Sequence, residues 1–488
     1  MSDTILTGAE PLVVAAELLP LLNAQLAWHY RVVPHRLAEG RLELYTETGR
    51  TTAVLAEELE VVLGHPIHLI PVAVAQLERS LSKHFLQSGA APGTPKPAAA
   101  VSRTVASSDD FLLQLIQEAR TLGSSDIHIE VYATKARVRI RLDGQLVERY
   151  HLPKTDYPAL INRVKIMAGL DIAEKRLPQD GRLFIGAATQ QKMDVRVSIM
   201  PTLHGEKVVL RLLNNDVVAV DLTTLGFQHD DLETYLEGIR RPKGMLLISG
   251  PTGSGKTTTL YATLKQLNLE SRNILTIEDP IEYTLDGINQ VQLRENIGLT
   301  FAAALRTFLR QDPNVIMVGE IRDPETAAMA VRLALTGHLV LSTIHTNSAW
   351  GTVSRLIDMG IPAYLVANTL NTTVAQRLLR TLCPACKRAE PFSETLYPRR
   401  FKPFRPVTQH YVAAGCEQCL LTGYRGRQAV YEVIPLDEEL AENLKTNNLN
   451  VSHLLAERGI TSLAENAFAL FERGETTLEE IYPLLFGN

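Results

Sequence analysis

The sequence has no long hydrophobic run and little surplus of either charge, and both shortages exclude classes of protein. No apolar run approaches the roughly 18 residues that a membrane-spanning helix needs. Asp3 and Glu10 precede the first apolar stretch, where a secretory signal would carry basic residues. A net charge of −5 gives no overall electrostatic reason to bind nucleic acid. We therefore expect a cytoplasmic protein that partners hold in place if it works at a membrane.

Cysteine is scarce too, and the four cysteines of the chain are not scattered. They form two C-x-x-C pairs, Cys383 with Cys386 and Cys416 with Cys419. A cytosolic protein does not keep such pairs as disulfides, whereas four paired thiolates suit tetrahedral Zn²⁺. Because four cysteines leave no open position on the ion, we predict a structural zinc module over residues 381–424. A redox pair or an unliganded cluster is the alternative.

A length of 488 residues and an apolar content of 45% predict about three globular domains with sizeable cores. The stretch between the first two is rich in Gly, Pro, Ala and Ser and cannot bury enough apolar surface to order itself, so it predicts a flexible linker. On either side, apolar periodicity predicts α/β units. We predict an N-terminal domain, the linker, a second α/β domain and a nucleotide-binding domain at residues 1–86, 87–108, 109–221 and 222–488.

The stretch Met245–Thr259 predicts a nucleotide-binding strand, loop and helix. An apolar strand leads into a loop that matches G-x-x-x-x-G-K-[ST] in its required context. Glycines let backbone N–H groups turn towards a phosphate, and the following helix presents free N–H groups to the same anion; a glycine-rich turn without a ligand is the alternative. Lys256 is expected to reach the β and γ phosphates of ATP, and Thr257 to bind Mg²⁺. The loop residues predicted to contact nucleotide are Gly250, Pro251, Thr252, Gly253, Ser254, Gly255, Lys256, Thr257 and Thr258.

Three further predicted strands end in polar residues. Ligands bind at the carboxyl ends of parallel strands, so Glu278 with Asp279, Glu320 and His345 are expected at the same edge as the loop. Hydrolysis of ATP needs a carboxylate that orients or activates water, and Glu320 is the best candidate. Gly319 stands where an acidic metal ligand is usual, so the metal contact is expected through water or Asp279. A histidine after a strand can report the γ phosphate or be purely structural.

Two strands of the second domain carry an arginine among apolar neighbours, Arg196 and Arg211. A guanidinium in such a place needs an anionic partner if it is covered. The residues alone leave two alternatives open, a structural ion pair or a functional contact.

Taken together, these motifs resemble a known family. The sequences GPTGSGKTTT, TIEDPIE, DPNVIMVGEIRD and TGHLVLSTIHTN, the two C-x-x-C pairs, and SSDIHIE and LPQDGR upstream are similar to the secretion ATPases of type II secretion and type IV pilus assembly. The similarity runs from about residue 107 to the end of the chain. It implies a multidomain α/β protein: a RecA-like P-loop ATPase domain with a parallel sheet, preceded by a PAS-like α/β domain and a small N-terminal α/β domain.

The resemblance also implies ligands, partners and residue roles. It implies a homo-hexamer that uses ATP, Mg²⁺ and Zn²⁺, with the nucleotide between the two larger domains. Inner-membrane secretion or pilus platform proteins would hold the N-terminal domain. The implied catalytic glutamate, acidic box, histidine box and arginine fingers are Glu320, Glu278 with Asp279, His345, and Arg196 with Arg211.

Several functions are compatible with these motifs. The cysteine pairs favour secretion or pilus assembly over pilus retraction, and the single short N-terminal domain favours type II secretion over type IV pilus assembly. A DNA-uptake or DNA-translocating motor is the alternative of a different class, but the acidic total and the lack of aromatic residues among the basic ones weigh against DNA contact. The third alternative, a scaffold that binds ATP without hydrolysing it, conflicts with the intact Lys256 and Glu320.

Overall fold

The structure is a computed structural model that divides into two compact units, Met1–Lys96 and Pro97–Asn488. None of the helices among the described residues is both long and apolar enough to cross a membrane. The residues described are 12, 18, 22, 24–38, 40–48, 53–63, 65–84, 101–102, 108–185, 193–213, 220–446 and 448–487.

The first unit contains a three-stranded sheet in the order β1-β2-β3. The first two strands form an antiparallel hairpin, and the third lies parallel to the second after a helical crossover. Leucines from the strands and helices, such as Leu44, Leu59 and Leu77, are fully buried and form a small core of their own. The elements are α1 (Ala24–Tyr30), β1 (Val32–Ala38), β2 (Arg41–Glu47), α2 (Ala53–Leu63), β3 (Ile67–Val72) and α3 (Val74–His84).

Part of the predicted linker at residues 87–108 is paired with the second domain. Residues 87–100 and 103–107 lie outside the described part of the chain, but strand β4 (Val101–Ser102) pairs in parallel with Tyr150 and His151. Helix α4 (Ser108–Thr121) then begins inside the predicted linker. This pairing has a physical reason, because an edge strand has unpaired backbone N–H and C=O groups. These groups can pair with an extended segment beside them, whatever side chains that segment carries.

The second domain is a seven-stranded sheet with α4 and α5 on one face, in the strand order β4-β7-β6-β5-β10-β9-β8. Along β6, Val138 and Ile140 pack into the core beneath the helices, while Arg137 and Arg139 lie half-buried on the other face. The alternation predicted from the sequence thus separates an apolar face from a charged one. The remaining elements are β5 (Asp126–Val131), β6 (Ala136–Leu142), β7 (Gln145–Leu152), α5 (Tyr157–Met167), β8 (Gln179–Ile185), β9 (Met193–Thr202) and β10 (Gly205–Leu213).

The nucleotide-binding domain is built on a second seven-stranded sheet, in the order β13-β12-β14-β15-β11-β16-β19. Neighbouring strands are parallel except for the last pair, β16 and β19. Met245 and Leu247 of β11 enter one core and Leu246 and Ile248 the other, because helices cover both faces. The strands are β11 (Gly244–Ser249), β12 (Ile274–Glu278), β13 (Asn289–Gln292), β14 (Val315–Val318), β15 (Leu339–Ile344), β16 (Leu370–Leu382) and β19 (Tyr424–Pro435). The helices are α6 (His229–Arg240), α7 (Lys256–Leu267), α8 (Phe301–Phe308), α9 (Pro324–Leu335), α10 (Gly351–Asp358) and α11 (Ala363–Thr369).

Aromatic side chains of the segment between the two cysteine pairs pack against a C-terminal helix. Strands β17 (Arg388–Pro391) and β18 (Gln409–Val412) pair in an antiparallel ribbon. Between them, the Phe404 ring lies 5.6 Å from that of Phe468 on helix α14, and the Phe392 ring 5.6 Å from that of Phe471. The C-terminal helices are α12 (Glu438–Lys445), α13 (Ser452–Glu457), α14 (Leu463–Glu472) and α15 (Leu478–Ile481).

Candidate active site

A cleft of about 450 Å³ opens at the carboxyl ends of four neighbouring strands, β12, β14, β15 and β11. The loop after β11 and the residues that follow the other three strands line this cleft. The structure therefore brings the predicted loop and the three predicted strand ends into a single cavity. The predicted residues that line it are Thr252, Gly253, Ser254, Gly255, Lys256, Thr257, Thr258, Glu278, Asp279, Glu320 and His345.

Three glycines of the loop after β11 have a positive φ, which other residues rarely adopt, and at two of them a side chain would also collide with β16. Gly250 has φ +148°, and a Cβ added there would lie 2.5 Å from the carbonyl oxygen of Gln376. Gly255 has φ +88° at the N-terminus of α7, where a Cβ would lie 2.9 Å from Gln376 Nε2. Side chains at either position would push the loop away from β16, so the glycines keep it close to the sheet and its N–H groups turned inward.

Lys256 is buried, and its ammonium group is held by the loop itself. Nζ donates to the carbonyl oxygens of Gly250 at 2.8 Å and Pro251 at 3.0 Å. Burial lowers the pKa of Lys256, and the charge of Glu320 opposes that shift. The hydroxyl of Ser254 is also buried, and among the residues that the structure describes it has no hydrogen-bond partner. A phosphate would give both groups a charged acceptor, so the loop fits a nucleotide.

Glu320 follows β14 and lies largely buried between two basic side chains. One carboxylate oxygen contacts the Arg322 guanidinium, and the other lies 3.5 Å from His345 Nε2. Gly319 leaves little room before it, since a Cβ there would lie 3.3 Å from the carbonyl oxygen of Ile277. A side chain at position 319 would need this carbonyl group to shift slightly. Glu320 is thus a carboxylate held by two basic side chains in the cleft that the phosphate loop also lines.

The two acidic residues at the end of β12 differ in their surroundings. The Glu278 carboxylate is buried and accepts hydrogen bonds from Tyr261 Oη, from Thr276 Oγ1 at 2.6 Å and from Gln290 Nε2 at 3.0 Å. Asp279 is exposed, with its carboxylate 3.9 Å from Arg322. Asp279 and the exposed Thr257 both line the cleft and carry side-chain oxygen atoms, the kind of ligand that Mg²⁺ prefers.

The two strand arginines lie beside the cleft without entering it. Arg196 donates to the carbonyl oxygen of Ile281 at 2.9 Å and pairs with Glu282 at 3.1 Å, so it bridges the second domain and the nucleotide-binding domain. Arg211 pairs with Asp126 of its own domain at 3.0 Å. Of the described residues that line the cleft, none is Arg196 or Arg211, although Glu282 is one of them.

The four cysteines converge at the base of the β17–β18 ribbon. The sulfur atoms lie 3.9 Å apart for Cys383 and Cys416, 3.8 Å for Cys386 and Cys419, and 3.7 Å for Cys416 and Cys419. Four sulfurs around a tetrahedral zinc at about 2.3 Å would be separated by about 3.8 Å, so the cluster fits Zn²⁺. Burial would raise the pKa of Cys419, but backbone N–H groups of Cys416 and Gly423 lower it to about 7.

Two basic residues of the cleft were missed by reasoning from the sequence. Arg322 contacts Glu320 and lies near Asp279. Its position two residues after Glu320 in the sequence could have indicated that it lies in the cleft. Arg427 also lines the cleft, but it comes from β19, far along the chain, and no local pattern points to it. The Asp143 carboxylate, in a turn of the second domain, lies 3.9 Å from Arg427 and accepts from the N–H of Gly426 at 2.8 Å.

A parallel sheet that delivers a glycine-rich loop with a buried lysine, a carboxylate and a histidine to one cleft defines the class of P-loop ATPases. The chain belongs to the type II/IV secretion system protein family, whose sequence model matches residues 104–483. This match confirms the resemblance seen in the motifs.

Individual relatives extend the match over most of the chain. The type IV pilus assembly ATPase PilB of Myxococcus xanthus is 42% identical over 492 residues, which cover 96% of this chain and 86% of that protein. The type II secretion system ATPase E of Vibrio cholerae is 46% identical over 371 residues, 75% of this chain and 73% of that protein.

Solved structures show the same fold. The pilus retraction motor PilT with bound ADP has a TM-score of 0.52 and 26% identity, and the match covers 76% of this chain and 96% of that one. The ATPase DotB of Legionella pneumophila has a TM-score of 0.61 at 22% identity over 80% of this chain and 99% of that one.

Proposed function

We propose that this ATPase drives pseudopilus assembly in type II protein secretion, as a homo-hexamer held by partners at the cytoplasmic face of the inner membrane. The observation that carries the proposal is the cleft in which the carboxylate of Glu320, between Arg322 and His345, faces the phosphate loop. Family membership and the type II secretion ATPase relatives support the coupling to secretion. In this proposal the nucleotide-binding domain is RecA-like and the second domain PAS-like.

In this proposal the residues of the cleft have different roles in ATP hydrolysis. The loop N–H groups and Lys256, which exchanges its two carbonyl partners for phosphate oxygens, bind the β and γ phosphates. Glu320 orients the attacking water and accepts its proton, and His345 contacts the γ phosphate and registers its loss. Thr257 and Asp279 would hold Mg²⁺, which when bound neutralises charge on the phosphates.

Arg196 and Arg211 act as arginine fingers in this proposal. Both belong to the second domain, so they reach the γ phosphate only when that domain closes over the cleft. Closure requires Arg196 to leave Ile281 and Glu282, and Arg211 to leave Asp126. Hydrolysis is thereby coupled to movement between domains, which is what a motor needs.

Disruption of the gene in its host tests the proposal. Secreted proteins should disappear from the medium while surface pili remain, and wild-type protein should restore secretion. Loss of pili with normal secretion would instead support the second candidate, type IV pilus assembly. That candidate is favoured by one observation: the M. xanthus PilB match covers 96% of this chain, against 75% for the V. cholerae secretion ATPase. Normal pili together with normal secretion would contradict both.

We also propose that the N-terminal domain docks on an inner-membrane platform protein. Deletion of residues 1–86 should leave ATP hydrolysis near the full-length rate, because the second compact unit holds the whole cleft. The same deletion should abolish co-sedimentation with membranes from cells that express the platform proteins, while the full-length chain sediments with them. If recruitment is unchanged, the docking site lies in the remaining residues, 87–488.

For the cysteine cluster we propose one structural Zn²⁺ per chain. Elemental analysis should find stoichiometric zinc in the wild type and none in Cys383→Ser or Cys416→Ser. Zinc contributes about 10 kcal/mol or more to folding in small zinc modules, so these variants should lose stability in the C-terminal region. Thr395→Ala, an exposed change between the two cysteine pairs, is the control and should keep its zinc. A wild-type protein without zinc would refute the assignment.

A further inference from the structure

One buried tyrosine joins the helix of the phosphate loop to the acidic segment 278–282. Tyr261 lies on α7, which directly follows the loop, and it is only 2% exposed. Its Oη donates to the Glu278 carboxylate and accepts from the N–H of Glu282 at 3.4 Å. Its ring packs edge-on against that of Tyr283, with the ring centres 4.5 Å apart. Tyr261 thus contacts both ends of the acidic segment.

The hydrogen bond from Tyr261 to Glu278 differs in origin from the others that this carboxylate accepts. Thr276 and Gln290 donate to it at 2.6 and 3.0 Å, but they belong to β12 itself and to the neighbouring strand β13. Burial and the negative charge of Glu278 raise the pKa of Tyr261, so its hydroxyl stays protonated and donates. Tyr261 therefore ties the acidic segment to α7, whereas the other two donors tie it to the sheet.

The helix and the acidic segment each carry one of the two oxygen ligands proposed above for Mg²⁺. Thr257 comes one turn before Tyr261 on α7, so the two side chains lie on the same side of that helix. Asp279 directly follows Glu278, and both Thr257 and Asp279 line the phosphate cleft. Mg²⁺ requires near-ideal octahedral geometry with ligand distances of about 2.0–2.1 Å, so a small displacement of one ligand weakens its binding.

We propose that Tyr261 is a positioning residue, which fixes Asp279 relative to Thr257 and so prepares the cleft for a nucleotide with Mg²⁺. Tyr261 is not among the described residues that line the cleft, so it acts through Glu278 and the backbone of Glu282. The proposal rests on the proposed function, because that function assigns the Mg²⁺ ion to Thr257 and Asp279.

Tyr261→Phe tests the proposal, because it removes the hydroxyl and keeps the ring that packs on Tyr283. A fluorescent, non-hydrolysable ATP analogue is titrated into the full-length chain, once with Mg²⁺ and once with EDTA. With Mg²⁺ the variant should bind the analogue about tenfold more weakly than the wild type, the loss expected for a hydrogen bond to a charged group. In EDTA the two chains should bind it equally, which also shows that the phosphate loop of the variant is intact.

Tyr235→Phe is the matched control. Tyr235 is buried as well, and its hydroxyl lies 2.6 Å from Thr263 Oγ1 on the same helix α7. Loss of this hydrogen bond should lower the melting temperature about as much as Tyr261→Phe does, but it should leave the affinity with Mg²⁺ unchanged. If Tyr261→Phe matches Tyr235→Phe in both titrations, the Tyr261 hydroxyl is only structural and the proposal is overturned.

Two further results would decide against the proposal. Equal losses of affinity with Mg²⁺ and with EDTA would show that Tyr261→Phe disturbs the phosphate loop and not the metal ligands. A wild type that binds the analogue equally well with and without Mg²⁺ would show that the cleft gains nothing from a positioned Asp279. A wild type that does not hydrolyse ATP would instead refute the proposed function, and the two titrations would still decide the role of Tyr261.

Discussion

Glu320→Gln is expected to bind ATP as the wild type does and to hydrolyse it at least about 100-fold more slowly. The amide has the shape of the carboxylate but cannot accept a proton, and loss of a positioned general base typically costs a factor of about 10² to 10⁴. Binding should survive because the substitution leaves the phosphate loop and Lys256 in place. Fluorescent nucleotide titration and steady-state phosphate release measure the two quantities separately.

The same substitution removes the charge that Arg322 and His345 contact, so stability must be measured as well. We expect only a small change in melting temperature, because Arg322 is exposed and can be solvated. Glu270→Gln, an exposed change in the loop after α7, is the control and should turn over normally. Normal hydrolysis by Glu320→Gln would show that Glu320 is not the catalytic base.

Reasoning from the sequence succeeds where function depends on local pattern and sheet topology. Met245–Thr259 carries its strand, loop and helix in one continuous stretch, and its glycine spacing has a direct geometric meaning. Glu320 and His345 could be placed at the same cleft because each follows a short apolar run, and such runs become parallel strands whose carboxyl ends share an edge.

The remaining parts of the site depend on contacts between distant segments. The burial of Glu278 beneath Tyr261 and Gln290 could not be read from its strand, since a residue at a strand end can face either the cleft or the core. Arg427 enters from β19, which lies antiparallel to β16 at the edge of the sheet. Backbone pairing of Val101–Ser102 likewise depends on an open strand edge and not on side chains.

The sequence leaves open whether Arg196 is structural or functional, and the structure shows which residues it contacts. Its partners Ile281 and Glu282 belong to the nucleotide-binding domain, and Glu282 also lines the cleft. The observed position of Arg196 is therefore compatible both with a purely structural ion pair and with an arginine finger that reaches the phosphate after domain closure. The two alternatives differ in what they affect: a structural ion pair contributes to stability and leaves the turnover of each folded molecule unchanged, whereas an arginine finger contributes about 10³ to 10⁵ in rate.

Arg196→Ala and Arg211→Ala are accordingly expected to reduce ATP turnover by about 10³ or more, with little change in melting temperature. The loss should fall on kcat, because the guanidinium groups meet the γ phosphate only in the closed state. If assembly of the ring also orders that state, wild-type activity per chain should rise steeply with protein concentration. Turnover assays across a concentration series, with thermal melting of each variant, measure both effects.

Arg139→Ala provides the matched control for these variants. Arg139 lies on the same face of the same sheet and pairs with Glu130 at 2.7 Å, but it is not among the described residues that line the cleft. It should therefore lose some stability and keep its turnover. Should Arg196→Ala and Arg211→Ala behave in the same way, losing stability while each folded molecule hydrolyses ATP normally, both arginines are structural. The movement between domains would then need another link to hydrolysis, and the Asp143–Arg427 contact across the same two domains is the next place to test.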